Sequence, residues 1–187
     1  MQLETIIAAS GNEGKIKEIV KIFKGARVIS MREAGFEGEI EENGSSFREN
    51  ALIKAKAVAE KLNLPALADD SGLCVDFLGG APGIYSARFS GEGDAANRAL
   101  LLQKMKEATH RQAHFECAVC LYIPGGRTLF GVGRTDGEIC EEERGKRGFG
   151  YDPLFYSYDL KKSFGEATAR EKNRVSHRAR ALKDLME

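Results

Sequence analysis

The chain has no surplus of charge. Lys+Arg and Asp+Glu both number 28, so the formal net charge is zero. Bulk binding to DNA or RNA works by neutralising phosphates and normally shows as a basic surplus, so that class is disfavoured. A small anionic ligand needs only a local basic pocket and stays open. No apolar run approaches the ~20 residues of a membrane span. The opening MQLETIIAAS lacks a basic n-region, and its apolar stretch is too short for a secretory signal. These absences predict a cytoplasmic protein. Repeats, low-complexity tracts and linkers are also missing. Cysteine is sparse, with Cys74, Cys117, Cys120 and Cys140. Cys117 and Cys120 form the one CxxC, inside HFECAVCLYI, which reads as a strand. Strand residues three apart face opposite sides, so the sulfurs diverge and the pair is expected to be buried and structural.

What is present suffices for a core. With 187 residues, 42% hydrophobic and 30% charged, the chain fits a single domain over 1–187, built as two lobes sharing one sheet. Residues 3–9 read as a strand. Ile16, Ile19, Val20 and Phe23 have helix spacing, and Gly25 ends that helix. Residues 26–30 read as a second strand and 31–45 as an acidic loop. Ser46 and Glu49 form a capping box for a helix to Leu62. Ala66–Ala68 and Leu73–Phe77 read as strand pieces flanking an acidic turn. Asp94 is expected to cap a helix with Ala95, Ala99, Leu102 and Met105 on its inner face. Residues 114–124 and 127–134 read as a hairpin. Residues 141–150 read as a loop and 152–156 as a short strand. Thr168 and Glu171 form a second capping box before a closing helix. Strands and helices alternate early and a hairpin follows, so the predicted class is α/β with a mixed sheet.

Five segments carry possible chemistry. In ADDSGLCVDFLGGAPGIYSARFSG, from Ala68 to Gly91, the adjacent Asp69 and Asp70 point opposite ways in extended backbone, so one of them faces a cleft. Such a carboxylate suits magnesium or a water, although an Asx-turn around Ser71 and Gly72 explains the pair too. Asp76 reads as solvated. Ser10, Gly11, Asn12, Glu13, Gly14 and Lys15 link a strand to a helix, whose first N–H groups favour an anion. This is no Walker A loop, because Ile16 stands where a hydroxyl should hold the metal. Glu42 precedes a helix carrying Asn50 and Lys54 on one face. Phe149 and Tyr151 sit between glycines in GFGYDP, where a ring could stack on a base and Asp152 could accept a hydrogen bond. Ser176-His177-Arg178 opens the last helix, with Arg178 a fork of donors for oxygens. No Ser–His–Asp order is recognisable.

Taken together, SGNEGK, FRENALIKA, ADDSGLCVDFLGGAPGIYSARFSG, GFGYDPLF and SHRARAL resemble the inosine triphosphate pyrophosphatase family, in the family's order from residue 5 to about 185. Those enzymes hydrolyse non-standard purine nucleoside triphosphates (ITP, dITP and XTP). The resemblance implies an elongated central mixed sheet, two lobes with a substrate cleft, a homodimer and Mg2+ dependence. It implies that the Ser10–Lys15 turn and Lys15 hold phosphates and that Lys54 faces the triphosphate. Glu42 and Asp70 would hold the metal, with Asp70 catalytic, and Ser71 would line the site. Phe149 would stack on the base beside Gly150, Tyr151 and Asp152, while Lys172, His177 and Arg178 would hold the base edge. Glu42 rather than Glu41 rests on its distance to Asn50 and Lys54. Ser10 stands where many members have threonine and keeps the hydroxyl. Two rivals remain: a pyrophosphatase for other modified nucleotides, and a nucleotide sensor without catalysis.

Overall fold

The computed structural model describes residues 4–24 and 26–187. Leu3 and Gly25, read above as a strand start and a helix end, lie outside the described residues. In chain order the elements are β1 (Thr5–Ala8), α1 (Glu13–Ile22), β2 (Arg27–Ser30), α2 (Phe47–Leu62), β3 (Ala66–Val75) and α3 (Asp94–Lys104). Then come β4 (Gln112–Tyr122), β5 (Thr128–Ile139), β6 (Phe155–Ser157), β7 (Lys162–Ser163), α4 (Ala169–Val175) and α5 (His177–Met186). The strands form a seven-stranded sheet in the order β2-β1-β3-β4-β5-β6-β7. β1 runs parallel to β2 and β3, and β6 antiparallel to β5 and β7, so the sheet is mixed as expected. No helix among the described residues is long and apolar enough to cross a membrane.

The chain divides into two compact units. The first comprises Met1–Asp70, Cys117–Gly133 and Arg178–Glu187. Its strands sort their side chains by parity, as the period of two requires. Ile6, Leu67, Cys117, Val119 and Leu121 face one side and pack with Ile19 and Phe23 of α1 and Ala181 and Leu182 of α5. Ile7, Ala66, Ala68 and Cys120 face the other and pack with Ala51, Ala55, Val58 and Ala59 of α2. Cys117 and Cys120 therefore fall in different cores, as the strand spacing predicts, and all four cysteines are free and buried. The small residues along α2 let its backbone approach the sheet closely. Ser46 caps it by accepting from the Glu49 N–H, but the expected box is not closed, because Glu49 Oε2 accepts from the Ser45 N–H and hydroxyl instead.

The second unit comprises Ser71–Glu116 and Arg134–His177. Its core gathers Leu73, Val75, Leu101, Met105, Ile139 and Leu154 around an aromatic group. Phe115 lies 4.6 Å from Phe155 and Phe155 5.1 Å from Phe164, centroid to centroid. Thr168 and Glu171 form the anticipated capping box.

Other local expectations need correction. The acidic pair does not sit in a turn: β3 runs unbroken from Ala66 to Val75. Each aspartate finds cationic or amide partners inside the fold, and Gly72 admits a neighbouring segment. A Cβ there would overlap the Gly83 carbonyl oxygen and come within 2.6 Å of Ser86 Oγ. Asp94 is not a cap but the first residue of α3, after Gly93. Met105 and the half-buried Leu102 pack on the core as expected, joined by Asn97 and Leu101, while Ala95 and Ala99 are exposed. Asn97 is held inside because its Oδ1 accepts from the Ser90 N–H and hydroxyl, both at 2.7 Å. Finally, the closing helix is two helices, broken at Ser176, where ψ turns to 154°.

Candidate active site

Strand parity decides what each aspartate meets. Asp69 follows Leu67 by two residues and shares its face, toward α1 and α5. Asp70 follows Ala68 and faces α2. Asp69 Oδ2 accepts from Arg178 Nε at 3.1 Å and Nη2 at 3.0 Å, and lies 3.3 Å from Lys15 Nζ. Arg178 also donates from Nη1 to Glu18 on α1. Asp69 and Arg178 are each 1% exposed. Burial opposes the Asp69 charge, yet Lys15, Arg178 and Lys54 outweigh it and hold the carboxyl far below its usual range. Burial likewise opposes the Arg178 charge, and Asp69 and Glu18 override it, so the guanidinium is held above its ordinary value.

On the opposite face, Asn50 Nδ2 donates to Asp70 Oδ2 at 3.1 Å. Lys54 Nζ lies 3.0 Å from Glu42 Oε2 and 3.7 Å from Asp70 Oδ1. Asn50 and Lys54 are one helical turn apart on α2, so the helix delivers both to the same carboxylate. Burial pushes Asp70 above the usual carboxylate range, and Lys54, Lys15 and the Asn50 bond offset only part of it. Lys54 also moves up, although burial works to lower it, because Asp69, Asp70 and Glu42 all favour its charge. The two shifts pull differently on one pair. The ammonium shares three carboxylates, whereas Asp70 has a partner 3.7 Å away and Glu42 as a repelling neighbour. Asp70 is thus the undercompensated anion of the group.

That imbalance is what a bound divalent cation would relieve. Glu42 and Asp70 offer hard oxygen donors on either side of Lys54, as magnesium prefers. Four carboxylates (Glu18, Glu42, Asp69, Asp70) against three cations (Lys15, Lys54, Arg178) leave one formal negative charge in the first unit's cluster. These residues fit the metal that the sequence resemblance implies. The Ser10–Asn12 turn and the first residues of α1, Glu13 to Lys15, adjoin them through Lys15. Asn12 caps α1 by accepting from the Lys15 N–H at 3.1 Å, and Ser10 Oγ accepts from the Asn12 N–H at 3.1 Å. Ser10, Gly11 and Glu13 border a cavity of about 300 Å³ with Lys17 and Arg32.

The second unit holds the aromatic loop. Asp152 Oδ2 accepts from the Phe149 N–H at 3.0 Å and from Lys172 Nζ at 2.7 Å. The same ammonium lies 4.5 Å from the Phe149 ring centroid. Lys172 and Asp152 are nearly fully buried, so the pair braces the loop from beneath. Tyr151 is also buried, and its hydroxyl donates to the Ser86 carbonyl at 2.7 Å. It serves the core here, with burial raising its pKa. His177 stacks on Phe115 at 4.7 Å. Gly150 is held at both ends by α3: its N–H donates to Asp94 at 3.0 Å and its carbonyl accepts from Arg98 at 2.9 Å. Phe149 and Gly150 border a cavity of about 320 Å³, with Asp94, Arg98, Lys146 and Arg147. Ser71 continues β3 beyond Asp70.

The structure thus gathers Lys15, Glu42, Lys54 and Asp70 in one unit, and Phe149, Gly150, Asp152 and Lys172 in the other. Arg178, expected at a base edge, has its fork turned onto Asp69 and Glu18. Glu18 and Arg98 escaped the sequence reading, and Asp94 was read there only as a helix cap. The spacing of Lys15 and Glu18 on one face of α1 was a usable signal for the first. Nothing local pointed to the hold of Asp94 and Arg98 on Gly150.

The Ham1 family model matches residues 6–187. A dITP/XTP pyrophosphatase of Bacillus subtilis is 48% identical over 98% of this chain and 96% of its own length. One from Desulfotalea psychrophila is 48% identical over 96% of this chain and 82% of its own length. Among solved structures, the Staphylococcus aureus Ham1 protein superposes with a TM-score of 0.86 at 42% identity, covering 96% of this chain and 95% of that one. A HAM1 protein from Coxiella burnetii gives 0.87 at 38% identity, covering 98% and 96%.

Proposed function

The chain belongs to the Ham1 family, and from that premise we propose that it hydrolyses non-standard purine nucleoside triphosphates (ITP, dITP and XTP) to the monophosphate and pyrophosphate. The observation that carries the chemistry is the convergence of Glu42 and Asp70 on Lys54, with Asp70 undercompensated. In this reading water attacks the α-phosphorus, the bond to the bridging oxygen breaks, and pyrophosphate leaves. Glu42 and Asp70 would hold Mg2+. When bound, that ion neutralises phosphate charge and lowers the pKa of a coordinated water. Asp70 orients the attacking water and takes its proton at a carboxylate oxygen. Lys15, Lys54 and the Ser10–Lys15 turn hold the phosphates, exchanging carboxylate partners for phosphate oxygens, and Ser71 lines the site. A unit charge pair at ~4 Å is worth up to about 4 kcal/mol at an effective dielectric near 20, before desolvation is subtracted.

Recognition of the base falls to Phe149 as a stacking face, with Gly150, Tyr151 and Asp152 beside it. Lys172, His177 and Arg178 are the donors proposed for the edge, Arg178 with its fork oriented by Asp69 and Glu18. A 6-oxo purine accepts from such donors, whereas the 6-amino group of adenine sets donor against donor. Buried polar mismatch of this kind can discriminate by ~10⁴ or more, where shape alone gives ~10². The same reading takes the enzyme as a cytoplasmic homodimer. Hydrolysis of ITP in ¹⁸O-labelled water tests the attack site. Label in IMP with unlabelled pyrophosphate is expected. Label in pyrophosphate would overturn the mechanism, and tight ITP binding without hydrolysis would favour a sensor.

A further inference from the structure

We propose that Cys74, His114 and Glu116 form a separate transition-metal site of the zinc class on the second unit. One donor atom from each lies within 4.8 Å of the others. The backbone explains why they meet. His114 and Glu116 are two apart on β4 and so share a face, while Cys74 stands on the neighbouring strand β3. His114 Nε2 is 3.7 Å from Glu116 Oε2. His114 Nδ1 is buried with no hydrogen-bond partner. Nε2, the ring nitrogen that faces Glu116, is the one placed to ligate, and the buried Nδ1 marks how deeply the imidazole is set.

The donor set selects the ion. Thiolate, imidazole and carboxylate together suit zinc, whereas magnesium takes oxygen and keeps its waters. The site is therefore chemically distinct from the Glu42 and Asp70 pair. Zinc bonds of about 2.0–2.3 Å place tetrahedral ligands roughly 3.5 Å apart, so side-chain rotation closing the group by about 1 Å completes the geometry. Burial pushes the Cys74 thiol up to about 11, Glu116 and Asp76 add to this, and Arg134 opposes it. Of these causes, the carboxylate charges are the part a dication would neutralise. Binding releases the Cys74 proton to solvent as the sulfur–metal bond forms, with no change of oxidation state. Glu116, 46% exposed, gives the ion a way in from solvent. Three protein donors leave one position for water. The ion would tie β3 to β4.

The test is a titration of the metal-free full chain with Co2+, a spectroscopic stand-in for zinc. A thiolate-to-cobalt charge-transfer band in the near ultraviolet is expected at one equivalent, displaced by Zn2+. Cys74→Ser should lose the band, and His114→Gln should bind at least about tenfold more weakly. No band in the wild-type protein overturns the proposal, as does a band that survives Cys74→Ser, which would put the metal on another thiol. If Cys74→Ser does not fold, an unchanged Co2+ affinity in His114→Gln overturns it instead.

Discussion

Exchanging each of the adjacent aspartates for asparagine should separate stability from catalysis. Asp69 Oδ2 accepts two charge-assisted hydrogen bonds from Arg178, at 3.1 and 3.0 Å, and pairs with Lys15 at 3.3 Å. At ~1.5–3 kcal/mol for each bond to a charged group, the two are worth roughly 3–6 kcal/mol. Removing one partner of a buried pair costs about 3–5 kcal/mol by a separate route, because the other charge stays buried. Asp69→Asn should therefore lose about 4 kcal/mol, a large share of the ~5–15 kcal/mol that holds a domain together. With a urea m-value near ~2 kcal/mol/M, the midpoint falls by about 2 M at unchanged m. Asp70→Asn should behave differently. The amide still offers Asn50 an acceptor, and it removes a buried anion whose folded pKa is raised. Such an anion costs stability above its unfolded pKa, so the neutral side chain should hold or slightly raise the midpoint. Turnover should be abolished in Asp70→Asn. Equal midpoints for the wild type and Asp69→Asn would refute the ion-cluster reasoning, and near-normal turnover in Asp70→Asn would refute its catalytic role.

Other expectations follow from single contacts. Gly72→Ala drives a methyl group into the Gly83 carbonyl and Ser86, and should cost ~1–3 kcal/mol or more in urea unfolding. An unchanged midpoint would mean that the segment around Gly83 yields freely. Glu171 is held at about 2 by bonds from Lys162 and Thr168. Its contribution is fully present above its unfolded value near ~4.3 and is lost as pH falls through about 2. A carboxyl titration by NMR should show that low midpoint, while Glu171→Gln should remove the matching rise in α4 amide exchange at acid pH. Arg178→Lys replaces a fork by a point charge and should lower the ITP-to-ATP ratio of kcat/KM by at least ~10-fold. An unchanged ratio would remove Arg178 from base selection.

Much of this arrangement was legible in residue order. Alternation alone says that Asp69 and Asp70 face opposite ways, and the apolar residues before them say which core each joins. The i, i+4 spacing of Asn50 and Lys54 brings both to Asp70. The Cys117 and Cys120 pair was separable by the same period of two. The turn at Ser71-Gly72 misled, because local turn propensity gives way when a strand is paired within a sheet and glycine is needed for close approach. Val20 of α1 fits the helix spacing yet is 45% exposed, because the buried stripe is narrower than the apolar one. The partner of Asp69 was out of reach altogether: Arg178 lies 109 residues further along the chain, and only the docking of α5 onto the sheet brings it there. The contacts of Asp94 and Arg98 with Gly150 were hidden for the same reason.

The central claim is tested most directly by pyrophosphate release from ITP, XTP, GTP and ATP, each with and without Mg2+. The account predicts metal-dependent release from ITP and XTP, with GTP and ATP nearly inert. Release from none of the four by folded protein, or equal release from all of them, would contradict it.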